Sequence, residues 1–295
     1  MAKKPGRTSA TRVPRQSRVR AQFPANARLF SGNTVAVPLM NAAAPPPSLV
    51  PIPSLRKSAD ALTPREQQVF KDVVTKAIAD GIYSRLVRIH ADMTHDMHTM
   101  PGMPAGTLRF LPWHRLYLVK FEQAMRAFDS GFVVPYWRWM DANSIPAWMT
   151  SFKPSGITDA NGKPIRVTRA PGTDPHAPNL PTSQTIQTTV MVNQDYHSFT
   201  LALEGAKPYG AHNLVHMWFH GTMSNVPIAP ADPMFWMHHA EIDRIWAIWA
   251  KAHPGQIPNL SGSSAVLDPW SETATEMLDT ANVPEYPYAY DRMIL

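Results

Sequence analysis

The chain has no cysteine in its 295 residues. That absence excludes disulfides, zinc–thiolate sites and the copper–thiolate chemistry of blue-copper proteins. Acidic residues are missing from the first 59 positions, where ten Lys or Arg stand unopposed; the first acid is Asp60. The remainder carries 18 basic against 22 acidic residues, so the pI of 9.6 is a property of the N-terminal segment and not of the body. No apolar run is long enough to span a bilayer, and the opening residues show no sustained apolar stretch of the kind that marks a secretory leader. A cytoplasmic location and no membrane partner are therefore the expectations. A basic, Pro- and Ala-rich segment without acids reads as a solvated, disordered tail, with an acidic partner or nucleic acid as the alternative. Residues 1–55 are expected to be tail and wrapping segment, and 56–295 a single catalytic domain. Within the body, 44% hydrophobic residues and nine tryptophans support a large packed core.

What the chain does have is histidine, placed with a pattern. Five of its twelve histidines fall between Ala211 and Ala250. His212 and His216 are four apart and share one face of a helix. Asp232 and Pro233 read as the N-cap and first residue of a second helix. On it Phe235, His239, Ile242, Trp246 and Trp249 recur at helical spacing, a stripe apolar apart from its histidine. An i,i+4 histidine pair alone is more often incidental than ligating. Two histidines from one helix and a third from a facing helix nonetheless make a three-imidazole metal site of the kind bundles hold in their cores. His238 and His239 are about 100° apart around the helix, so at most one can share that metal. His239, on the apolar stripe, is the expected ligand; His238 is expected to be structural, and Gly221 to end the first helix near His220.

The stretches HNLVH and DPMFWMHHAEIDRIWAIW closely resemble the second copper-binding half of the tyrosinase family, the type-3 dicopper proteins that include catechol oxidases and molluscan haemocyanins. The resemblance puts its ligands at His212, His216 and His239. Here the lack of cysteine also removes the cysteine–histidine thioether cross-link found in many eukaryotic members.

Earlier in the chain, Thr63, Pro64 and Glu66 signal a helix start with a capping box, and Gly81 a terminator. This helix resembles the family's opening helix. His90 falls late in a second helix. Pro112 is expected to open the next, with His114, Leu118, Phe121, Met125 and Phe128 on one face. A lone histidine on such a face is usually a core residue; a matched pair of such helices in one chain shifts the reading to a second metal site. FLPWHRLYLVKFE and VPYWRWMD resemble the family's first copper-binding half, which puts His90 and His114 on ligand positions. The remaining ligand of that half usually falls where this chain has Ala105, which cannot ligate. His95 and His98 lie upstream in THDMHTMPG. His98 is preferred, because His95 would come only about one and a half helical turns after His90. Residues 150–195 are expected to form a long irregular excursion, with a small sheet built from pieces such as IRVTR and TIQTTVMV. The residues after Trp249 are expected to wrap the body.

The expected fold is mainly α-helical, a four-helix bundle holding a dinuclear copper site, with long loops and a small β-sheet. Six neutral imidazoles suit copper, which tops the affinity order among first-row divalent ions. The resemblance implies two copper ions, O2 as co-substrate and small phenols as substrates: monophenols hydroxylated to o-diphenols, and these oxidised to o-quinones. A narrower form is a catechol or o-aminophenol oxidase without monophenolase activity; the alternatives from other classes are a haemocyanin-like O2-binding protein and, raised by Ala105, a degenerate one-copper site. The resemblance also matches Glu204, in LALEG, and Asn213 to residues that hold a water which deprotonates a monophenol. Without the resemblance they would read as a surface acid and a helix-start residue.

Overall fold

Helix α1 (Pro64–Asp80) starts at the expected cap. Thr63 Oγ1 accepts from the Glu66 N–H at 3.3 Å, and Glu66 Oε2 accepts from the Thr63 N–H at 2.8 Å. Gly81 ends it with φ +86°, a left-handed conformation that costs glycine little. In the computed structural model of the chain, residues 54–295 are described apart from residue 143 and residues 206–208. The expected tail, up to residue 53, lies outside the described residues.

The second helix, α2 (Ile82–Ala91), carries His90 in its last turn; α3 (Gly106–Met125) carries His114. After a long irregular stretch come α4 (Tyr196–Glu204), α5 (Ala211–Phe219) with His212 and His216, and α6 (Met234–Ala252) with His238 and His239. The architecture is mainly helical, with the histidine-bearing helices α2, α3, α5 and α6 assembled around the site. α3 packs against α6 and α4, while α2 packs on the turn Val226–Ala231 that leads into α6. Pro233 is the N-cap of α6; Asp232, just before it, accepts from the Met234 N–H at 3.0 Å while Arg169 donates to both its oxygens at 2.7 Å.

A buried charge network ties Arg56, Tyr288 and Tyr290 to α3 and α6. Arg56 forks onto Glu122 of α3 at 2.8 and 3.2 Å and reaches Asp243 of α6 at 3.1 Å. Arg115, the neighbour of His114, donates to the other Asp243 oxygen at 2.5 Å. Tyr288 and Tyr290 also donate to Asp243. The carboxylate thus sits one turn beyond His239 with all its acceptor capacity engaged, which is what makes burying such charge tolerable.

Three expectations are corrected. The third helix opens at Gly106, so Pro112 lies inside it. Proline leaves the carbonyl four residues back without its helical donor, and here the Tyr196 hydroxyl supplies one to Leu108 O at 3.0 Å. The TIQTTVMV piece is helical (Ser183–Thr185 continuing through Ile186–Val190): Thr182 caps it, and Ile186 and Val190, four apart, are its buried face. Among the described residues, strand-like pairing in the 150–195 excursion is limited to the single bridge Thr158–Pro164. The small sheet is elsewhere. Strands β1 (Ser54–Arg56) and β2 (Tyr288–Tyr290) pair in parallel, Leu55 opposite Ala289, so the C-terminal residues do wrap back onto the body.

Candidate metal centre

On α5, the four-residue spacing of His212 and His216 brings their Nε2 atoms to 3.0 Å. His239 Nε2, from α6, lies 3.3 Å from the first and 3.4 Å from the second. The outer nitrogens are held by acceptors: His216 Nδ1 donates to Met223 O at 2.7 Å and His212 Nδ1 to Asn213 Oδ1 at 2.9 Å. With the protons on Nδ1, the facing Nε2 atoms present lone pairs to one another. A triangle with sides of 3.0, 3.3 and 3.4 Å has its centre about 1.9 Å from each corner, close to the ~2.0–2.1 Å bond of imidazole nitrogen to a first-row metal ion. These residues therefore fit a metal ion and have no other evident reason to converge.

The second cluster is assembled from less regular pieces. His98 lies between the helical turn Met93–His95 and α3, and its Nε2 is 3.3 Å from His90 Nε2. His114 donates from Nδ1 to Phe110 O at 2.8 Å, one turn back on its own helix, leaving a buried Nε2 without a hydrogen bond. One ring nitrogen from each of His90, His98 and His114 lies within 4.8 Å of the others. His98 is aimed by Glu204 at the end of α4: its Nδ1 donates to Glu204 Oε1 at 2.8 Å. The same carboxylate accepts from the Thr99 N–H at 3.0 and 3.1 Å and from the Thr99 hydroxyl at 2.6 Å. Asn213 is similarly engaged, donating to the backbone carbonyls of Glu204 and Gly205.

The clusters abut. The His114 and His239 rings stack at 4.5 Å with 17° between their planes. Phe110 touches His114 and His212, each at 4.8 Å, and Phe235 touches His239 at 4.0 Å and His90 at 5.0 Å. Burial and then neighbouring imidazoles hold His90, His114, His212, His238 and His239 well below the usual imidazole range. His216 meets the cavity at one edge but sits deep in the body, and burial pushes it down to about 4. These rings are neutral at pH 7, as ligands must be.

A cavity of about 200 Å³ opens on both clusters, its wall including Tyr209, Asn213, Met217, Val226 and Phe235. Of the other histidines considered, His95 stacks on Trp113 at 6.1 Å with its Nε2 4.0 Å from Asp92, outside either cluster. His220 is exposed just past the end of α5. His238 lies beside His212, rings 5.2 Å apart and nearly parallel, close enough for a nitrogen to reach the group of His212, His216 and His239, yet with no hydrogen bond of normal geometry. Sequence reasoning missed Phe110, Thr99 and Tyr209, and placed Phe235 only on a core face. A signal existed for the phenylalanines: FLPWH and FWMHH each place one four residues before a helix-borne histidine.

Two adjacent three-imidazole clusters in a helical bundle define a dinuclear metal protein. The model of the common central domain of tyrosinase matches residues 80–173 and 155–252. A tyrosinase of Streptomyces glaucescens is 30% identical over 267 residues, covering 77% of this chain and 96% of that protein. The grixazone synthase of Streptomyces griseus is 27% identical, covering 81% and 99%. A functional unit of octopus haemocyanin has the same fold, with a TM-score of 0.61, 22% identity, and 82% and 69% of the two chains covered. The chain belongs to the tyrosinase family. Its cofactor is that family's pair of copper ions, used with O2, and the two histidine clusters could hold them.

Proposed function

We propose that this protein is an O2-dependent phenol oxidase whose domain spans residues 56–295. His90, His98 and His114 hold one copper, and His212, His216 and His239 the other. The observation that carries the reading is the pair of abutting clusters at the floor of a small, largely apolar cavity. A dry cavity of ~150 Å³ suffices for benzene, so about 200 Å³ suits a single phenolic ring. The copper pair supplies the redox capacity to take electrons from an o-diphenol and pass them to O2. The protein's own part is to keep six imidazoles aimed, to present a ring-shaped slot beside them, and to exclude bulk water.

Monophenol hydroxylation is the second reading, supported by the place of Asn213 on the cavity wall and of Glu204 directly behind it. It asks Glu204 to act on a proton while already accepting from His98 and Thr99, which makes o-diphenol oxidation the better supported activity. The deciding experiment measures copper per chain together with O2 uptake on a catechol and on its matching monophenol. Two coppers with catechol turnover are expected. A loaded protein that binds O2 reversibly without turnover would overturn the oxidase reading.

A further inference from the structure

Four of the sixteen methionines fall within the eleven residues 93–103, the segment that carries His98, in a protein with no cysteine. Thioether is therefore the chain's only sulfur donor, and thioethers select Cu(I) among the ions a cell offers. Met97 is fully buried and Met93 packs against the core. Met100 is 43% exposed and Met103 is half-buried. They flank Pro101–Gly102 in a turn closed by the Met103 N–H donating to Met100 O at 3.1 Å, with Gly102 at φ +82°. Proline followed by glycine at positive φ is the type II β-turn, which brings its first and last Cα atoms within about 7 Å. Both thioethers are thus within reach of one ion.

The turn is the tip of a loop pinched at its base. A Cβ on Gly106, the first residue of α3, would come 1.8 Å from the His98 carbonyl oxygen, and Asp96 Oδ2 accepts from the Ala105 N–H at 3.1 Å. Met100 is two residues from His98, so their Cα atoms are at most ~7 Å apart.

We propose that Met100 and Met103 form a surface capture site for Cu(I) that passes the ion to His98 and so loads the cluster of His90, His98 and His114. The hand-over rests on His98 being a copper ligand; capture itself does not. The step is ligand exchange: thioether–copper bonds break, imidazole–copper bonds form, and no electron moves.

The test uses the full chain with 13C-labelled methionine methyls and Ag(I) as a redox-silent stand-in for Cu(I). In copper-loaded protein, one equivalent of Ag(I) should shift the Met100 and Met103 methyls, and the Met100→Leu/Met103→Leu variant should bind none; unmoved methyls overturn the proposal. Leucine conserves volume at these sites outside the core, so folding is retained. In copper-free protein supplied with Cu(I) from a bicinchoninate complex, the double variant should load roughly tenfold or more slowly, as for other groups that tune a metal site. Loading from Cu(II) should be unchanged, with two coppers bound at the end. Equal slowing from Cu(I) and Cu(II), or none from Cu(I), overturns the proposal. If His98→Ala loads two coppers as the wild type does, the hand-over to His98 is overturned, and with it the ligand reading on which it rests.

Discussion

The two histidine clusters reach similar geometry by different routes. Around His212, His216 and His239, regular helices suffice: a four-residue spacing on α5 and one residue of α6, with the outer nitrogens of the pair held locally by Met223 and Asn213. Around His90, His98 and His114, one imidazole comes from a loop, and it is oriented by a carboxylate 106 residues away in sequence. A helix aims its side chains through its own backbone; a loop needs an outside partner to do so. The first cluster should therefore be sensitive to its ligands alone, and the second to its ligands and to Glu204.

The largest effect is expected from His216→Ala. Catechol oxidation should fall to background and copper to about one per chain, with the far-ultraviolet circular dichroism unchanged, since little apolar area is lost. Near-normal oxidation would remove this histidine from the ligand set. His98→Ala should likewise bring copper towards one per chain, whereas His95→Ala, stacked on Trp113 away from the cluster, should keep both ions. A reversed outcome would move the irregular ligand to His95.

Glu204→Gln separates the two roles open to that residue. If it positions His98, copper affinity at that cluster should weaken by about 10–100-fold, and monophenol and diphenol rates should fall together, recovering with excess copper. If it instead serves a substrate proton, copper stays bound and monophenol hydroxylation alone falls, by about 10²–10⁴. The assay is a chelator competition alongside paired initial rates, with a trace of diphenol to remove any lag.

Acid should sharpen the contrast in the copper-free protein. Burial depresses His90 and His114 in one cluster and His212, His216, His238 and His239 in the other. A depressed histidine binds its proton less readily folded than unfolded. Its contribution to stability is thus complete above the unfolded value of about 6.5 and is lost as pH falls below it. For His216 the loss levels off near its folded value of about 4. Stability should fall between pH 7 and 4 more steeply than one proton allows. Hydrogen exchange should also show α5 losing protection before α3. A flat profile would mean that the rings titrate normally and are not buried as described.

How much of this was legible follows the same division. Local signals reported themselves: the Thr63 and Glu66 capping box, the Gly81 terminator and the His212–His216 spacing all depend on residues within one or two turns. The partner of His98 did not, because nothing in LALEG states that its carboxylate turns back to THDMHT. The parallel pairing of residues 54–56 with 288–290 was equally hidden, since three-residue strands carry no periodicity to read. TIQTTVMV was misread because β-branched residues at short range favour a strand, whereas burial of Ile186 and Val190 four apart decided for a helix. The start of α3 was misplaced for a related reason. Proline normally opens a helix, and the group that lets it sit inside this one lies on α4.

The smallest effect is expected at Pro112 in α3. Of the two helices whose histidines stack where the clusters meet, α6 has no internal proline, whereas α3 keeps Pro112 two residues before His114. The helix is continuous there because the Tyr196 hydroxyl donates to Leu108 O, the carbonyl that a residue-112 N–H would otherwise serve. Tyr196 is 3% exposed, so Tyr196→Phe leaves that carbonyl without its donor and removes almost no apolar surface. The cost should be about 1–3 kcal/mol, that of an unsatisfied buried polar group. Copper content should stay at two per chain. Pro112→Ala restores the N–H at residue 112, so in that background Tyr196→Phe should cost measurably less. A double-mutant cycle by urea unfolding reads the difference directly. Additivity of the two substitutions would show that the hydroxyl and the proline are independent, and that α3 accommodates Pro112 by some other means.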